Sequence, residues 1–171
     1  MEKILKREDK LAFMALTENA SEYMRMKGFT EFSMNKNPIE YTRRYIDEKT
    51  ERNDVVGYSP SVSYSFDKFS EDSVHNALVK IADSETVGAA AVRDIVIVDM
   101  SGEGTSKKAV LRSWTIIPDS EGADTDAYSY SGTLKSNGAI TEGTATSDDN
   151  WQTCTFLANE KEALLLPAEP Y

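Results

Sequence analysis

The sequence predicts a mainly β (α+β) fold: a β-sandwich or barrel with one flanking α-helix, a projecting charged hairpin and terminal arms. Three observations carry that prediction. Apolar and polar residues alternate with period two in several short runs, most cleanly where Val62, Tyr64 and Phe66 interleave with Ser61, Ser63 and Ser65. Turn chemistry, including Asn37-Pro38 and Asn137-Gly138, separates those runs. Only one stretch, residues 70–85, repeats its apolar residues at helical spacing. A chain of 171 residues has the size of one domain, so 1–171 is expected to be a single unit, with 1–27 as an N-terminal segment of open role and 158–171 as a C-terminal arm.

Taken in order, KLAFMAL (10–16) reads as a helix turn or a strand, strand being slightly favoured. Tyr23 to Met34 is apolar-rich and broken at Gly28, after which FTEFSM alternates as a short strand. Asn37-Pro38 marks a turn, because the residue before proline is pushed out of the helical region. From Val56 to Phe66 the alternation predicts one half-buried strand, with Pro60 at an edge or a bulge. The helix SEDSVHNALVKIADSE is capped by Ser70, with Glu71 and Asp72 at the positive end of its dipole and Val74, Ala77, Leu78 and Ile81 as its stripe.

After Gly88, AVRDIVIVDM reads as a strand buried on both faces, SGEGTSKK as a hairpin loop, and AVLRSWTII as a partner strand ended by Pro118. DSEGADTDA follows as a loop. YSYSGTLKSNGAITEGTAT then offers two polar strands paired around Asn137-Gly138, SDDN a turn, and WQTCTFLA the last strand. The tail NEKEALLLPAEPY, with two prolines and three successive leucines, reads as an arm.

Composition excludes several functions. The formal charge of −10 disfavours general nucleic-acid binding, which needs clustered cations to displace counterions. Cys154 stands alone, so there is no internal disulfide framework and no Cys-rich zinc site, and a reducing, intracellular site of synthesis is expected. The N-terminus opens into no apolar signal segment, and no apolar run approaches the roughly 20 residues that span a bilayer, so a soluble protein with no membrane partner is expected.

No catalytic constellation assembles. His75, the one histidine, reads as structural or surface. Cys154 alternates with Gln152 and Phe156 like a small core hydrophobe. GEGTSKK lacks both the glycine before lysine and the following helix of a phosphate loop. Asp119, Glu121, Asp124 and Asp126 crowd one acidic loop, solvated in one reading and calcium-binding in another, without EF-hand spacing. No catalytic, cofactor-binding or metal residue is therefore assigned.

Two features remain. AVLRSWTII is apolar on both faces, with Val110, Trp114 and Ile116 on one and Leu111 and Ile117 on the other, more apolar surface than a small monomer readily covers. In EYTRRYIDEKTERND (40–54) nine of fifteen residues are charged, five acids against four bases. Such balance suits a projecting hairpin meeting a complementary charged surface, a solvated loop being the alternative. Arg43, Arg44, Asp47, Glu48, Lys49, Glu51, Arg52 and Asp54 are the contact candidates.

The order GFTEFSMNKNPIEYTRRYIDE, VVGYSPSVSYSF, SVHNALVKIADSE and YSYSGTLKSNGAITEGTAT leading into TCTF, over residues 28 to 157, resembles the major tail tube proteins of long-tailed bacteriophages and related phage-tail-like particles. The resemblance implies a subunit without enzymatic activity or cofactor, assembled into rings, usually hexameric, that stack into a hollow tube. Its implied partners are further copies of itself, a tape-measure protein, tail tip or baseplate and terminator proteins, and a sheath if the tail is contractile. DNA would pass through without specific binding. The implied location is the particle tail, assembled in the host bacterial cytoplasm. A monomeric β-sandwich binding carbohydrate or peptide on Tyr128, Tyr130 or Trp151 is the alternative, and a hydrolase using scattered carboxylates a weaker third.

Overall fold

The computed structural model describes residues 2–159; most of the expected C-terminal arm, from residue 160 onward, lies outside the described residues. The described residues are mainly β with one α-helix, as the alternation predicts. Six antiparallel strands close a ring: β1 (Lys10–Met14), β2 (Glu22–Arg25), β11 (Thr153–Ala158), β10 (Thr141–Thr146), β8 (Lys107–Glu121) and β7 (Val92–Asp99), which pairs back to β1. Closure removes the exposed edges that a sheet of this size would otherwise present. Each of the six strands sends at least one side chain into the barrel: Phe13, Tyr23, Cys154, Ala145, Ala109, and Val96 with Val98.

The 15-residue β8 outruns the barrel. Its first part pairs with β10 and its last part, on the same side, with β9 (Ser129–Ser136), which continues into β6 (Ser61–Asp67) and β3 (Phe29–Asn35). The helix α1 (Ser73–Asp83) packs Val74, Leu78 and Ile81 against Val62, Tyr64, Phe66, Ile116 and Leu134 of this extension and against Met14, Ile95 and Trp114 on the outer wall of the barrel. A second core results. Because side chains alternate across a strand, Phe13 and Met14, or Ile95 and Val96, serve one core each. That is the physical cause of the doubly apolar strands in the sequence.

Four details depart from the sequence reading. The helix is capped by Asp72, not Ser70: its carboxylate accepts from Val74 N (2.9 Å) and His75 N (3.1 Å) and adds a full charge at the positive end of the dipole. Pro118 does not end its strand, because there β8 has passed the end of β7 and keeps β9 as its sheet neighbour, with a bulge beside the proline. β9 and β10 do not pair with each other around Asn137-Gly138; they lie end to end along β8, so the turn hands the chain from the extension to the barrel. Residues 56–66 are two strands in two different sheets, divided at Ser59-Pro60. In addition, residues 10–25 of the N-terminal segment, whose role the sequence left open, supply two barrel strands.

Candidate self-association surface

β4 (Pro38–Arg43) and β5 (Arg52–Tyr58) form a separate two-stranded ribbon. β3 runs into β4 and β5 into β6, so residues 29–67 are one long hairpin broken at a joint. Asn37 makes the joint. It adopts a left-handed backbone (φ 44°), a conformation asparagine tolerates better than most residues. Its Nδ2 donates to Ser59 O and Ser61 Oγ, both at 3.1 Å, while Ser59 N donates to Asn37 O at 3.2 Å. Pro38 and Pro60 flank these bonds, each removing a backbone donor from a continuing ladder.

The ribbon is unfinished. Among the described residues neither strand has a second neighbour, so both outer edges carry backbone donors and acceptors without a sheet partner there. A lone two-stranded hairpin is marginal in water, and this one leaves Ile39, Tyr41, Val55, Val56 and Tyr58 each at least half exposed. Register puts Ile39 and Tyr41 on one face, and Val55 and Tyr58 on the other. These apolar residues are the part of the site that sequence reading missed, since Val56 and Tyr58 were expected inside a half-buried strand. The two X-Pro steps, Asn37-Pro38 and Ser59-Pro60, were the available signal that both chains leave the sheet at one level.

All eight charged candidates fall on this ribbon and its tip. Glu48 and Arg52 form a two-point pair, Arg52 Nε to Glu48 Oε2 at 2.9 Å and Nη2 to Oε1, and the Arg52 guanidinium lies 5.6 Å from the Tyr45 ring centroid. Arg43 stands directly opposite Arg52, a like-charge juxtaposition that the Glu48 pair offsets. Among the described residues, Arg43, Arg44, Asp47, Lys49, Glu51 and Asp54 form no salt bridge. The hairpin is thus real, but its root is apolar and only its tip is a balanced set of charges.

The other candidates do not converge. SGEGTSKK spans the β7–β8 hairpin turn, where Lys107 Nζ donates to Gly102 O. Asp119 and Glu121 lie in β8 rather than in a loop, and among the described residues no three His, Cys, Asp or Glu side chains gather as a metal site. Tyr128 OH donates to Glu121 Oε2 (3.0 Å), Tyr130 stacks on Phe66 (5.5 Å between centroids), and Trp151 packs on Phe13 (6.2 Å) at the barrel end. Tyr128 and Tyr130 meet edge to face (5.4 Å between centroids), whereas Trp151 packs against the barrel core. His75 is fully buried and structural.

A closed antiparallel barrel, an extension sheet sharing its longest strand, and an unfinished ribbon define a particular kind of β protein. Comparison with solved structures finds similar folds in gene transfer agent and phage-tail-like particles. One match is to a chain in the virion of a native gene transfer agent, with TM-score 0.58, 14% identity, and coverage of 81% of this chain and 98% of that one. Another is to the tail of an empty gene transfer agent particle of C6 symmetry, with TM-score 0.56, 16% identity, and coverage of 81% and 98%. A third is to the tube-terminating cap of the anti-feeding prophage, with TM-score 0.50, 16% identity, and coverage of 85% and 94%. No family model and no curated protein matches the sequence. The fold is therefore shared with tail and tube-cap components of phage-tail-like particles, in line with the resemblance read from the sequence.

Proposed function

We propose that this chain is a structural subunit of a tail tube, closing into rings that stack around a lumen. The observation that carries the proposal is the ribbon: two free strand edges and exposed apolar faces that another copy can complete by strand pairing and burial. The C6 symmetry of the similar tail supports six copies per ring. Arg43, Arg44, Asp47, Glu48, Lys49, Glu51, Arg52 and Asp54 would meet the next ring, where desolvated charges set register and partner choice more than they set affinity. A net charge of −10 suits a conduit through which DNA moves without being held. Tape-measure protein in the lumen, tail tip and terminator at the ends, and a sheath in a contractile tail complete the assembly. Its place is the particle tail, put together in the host cytoplasm. The proposal contains no catalytic step and no cofactor.

The test is light scattering with negative-stain microscopy of the purified chain across concentration and salt. Rings or tubes of uniform width are expected. A 19.0 kDa monomer at every concentration, unchanged by adding preformed tail tip, would overturn the proposal.

A further inference from the structure

On the outer wall of the barrel, facing away from the barrel core, Phe32, Met34, Ile97, Val110 and Trp114 line an open groove of about 680 Å³. Among the described residues, every charged residue along it is basic: Lys6, Arg7, Lys10, Lys36 and Arg112. In a chain with ten more acids than bases that concentration is unusual. Arg112 adds a second observation. Its guanidinium lies 5.7 Å from the Trp114 ring centroid, and its Nε is buried without a hydrogen-bond partner among the described residues. Leaving such a donor unmatched is unfavourable, and among the described residues the groove offers it no acceptor.

The end of the described chain lies beside it. β11 pairs Ala158 with Gly143 of β10, and Asn159 N donates to Glu142 O at 3.0 Å. Ile140, two residues before Glu142, lines the groove, and Thr141 pairs with Leu111, the neighbour of Arg112. Adjacent strands are ~4.8 Å apart, so Asn159 leaves the barrel roughly two strand spacings, ~10 Å, from β8. The sequence after Asn159 is Glu160-Lys161-Glu162-Ala163-Leu164-Leu165-Leu166-Pro167, and six extended residues reach ~20 Å.

We propose that this segment docks in the groove of its own subunit, with Leu164 to Leu166 on the apolar floor and the carboxylates of Glu160 and Glu162 on the basic rim, one of them accepting from Arg112. The acid-then-leucine order matches what the groove lacks. The docking acts within one subunit and does not depend on tube assembly.

The test uses the full chain carrying Met34→Cys and Leu165→Cys, oxidised under dilute conditions; the native Cys154 is buried. The expected product is an intramolecular disulfide, seen as a faster-migrating monomer on a non-reducing gel. Disulfide-linked dimers alone would assign the groove to a second copy's tail, and absence of any cross-link would leave it to neither; both overturn the proposal. Glu160→Gln with Glu162→Gln, in the same background, is expected to slow closure about five-fold at low salt, with the difference shrinking at high salt as screening sets in. An unchanged rate overturns the pairing of carboxylates with the rim. Circular dichroism of each variant excludes misfolding as the cause.

Discussion

His75 illustrates how one buried polar side chain organises several segments. Its Nδ1 accepts from Phe69 N (3.1 Å), which leaves the proton on Nε2 to be donated to Lys27 O (2.5 Å), while its ring stacks on Phe66 at 4.5 Å. Gly28 is needed next to it, because its φ is +76° and a Cβ there would come within 2.9 Å of the imidazole. His75→Ala removes both bonds and the stacked ring. A loss of about 2–4 kcal/mol in urea unfolding is expected. Asp149 does similar work in the last turn. It accepts from Ser147 Oγ, Gln152 N, Thr153 N and Thr153 Oγ1 at 2.7–3.1 Å, holding Asn150 and Trp151 in left-handed backbone, and the bonds from Thr153 lead in drawing its pKa down to about 2. A depressed carboxylate stabilises the fold above its unfolded value near 3.8 and loses that contribution as pH falls toward 2. The urea midpoint of the wild type should therefore drop across that window more than that of Asp149→Asn. Cys154 faces the barrel core, and burial, with Asp149 and Glu22 adding to it, pushes its thiol up to about 12. An aromatic disulfide reagent at pH 8 should label it only on unfolding, because the thiolate is the nucleophile.

The elements differ in how well the chain announced them. The helix, the β7–β8 hairpin and the strand of Val62, Tyr64 and Phe66 were legible because period and punctuation agree with tertiary packing there. The β9–β10 connection was not, since Asn137-Gly138 specifies a reversal but nothing local says that a 15-residue strand will offer two docking places along one edge. Nor did the residues of 40–54 reveal that the ribbon's root is apolar, because Val56 and Tyr58 continue the alternation of β6 across Pro60 and read as one strand with it. Exposure on both faces separates the ribbon's energetics from those of the body. Replacing residues 38–58 by a short glycine-asparagine turn between β3 and β6 should leave the thermal midpoint of the monomer within a few degrees of wild type, since little buried surface is lost. The same deletion should abolish assembly. Arg43→Glu with Arg44→Glu is a finer probe: within ±0.5 kcal/mol for the monomer, as for most surface changes, but raising the concentration needed for stacking about ten-fold, the equivalent of ~1.4 kcal/mol. Tubes formed as readily as wild type would remove the charged tip from the inter-ring contact.

At the scale of the molecule, the two cores are joined by the strands they share. β1, β7 and β8 each present one face to the barrel interior and the other toward α1 and the extension sheet, so melting either core would strip apolar cover from strands needed by the other. One cooperative unit is the expected consequence. The chain contains two tryptophans, and they divide conveniently: Trp114 lies in the core under α1, and Trp151 packs against the barrel core. Trp114→Phe and Trp151→Phe leave one reporter each. For a two-state domain, the fluorescence midpoint of each variant should coincide with its own far-ultraviolet dichroism midpoint and give the same denaturant slope. The slopes of the two variants should also agree, although Trp114→Phe lowers stability more because that side chain is 2% exposed in a packed core. A barrel signal that persisted after the Trp114 signal had been lost would show instead that the closed ring stands alone, with the extension sheet and helix as a separable layer. That outcome would also move the ribbon's support, since β3 and β6, which carry it, belong to that outer layer and not to the barrel.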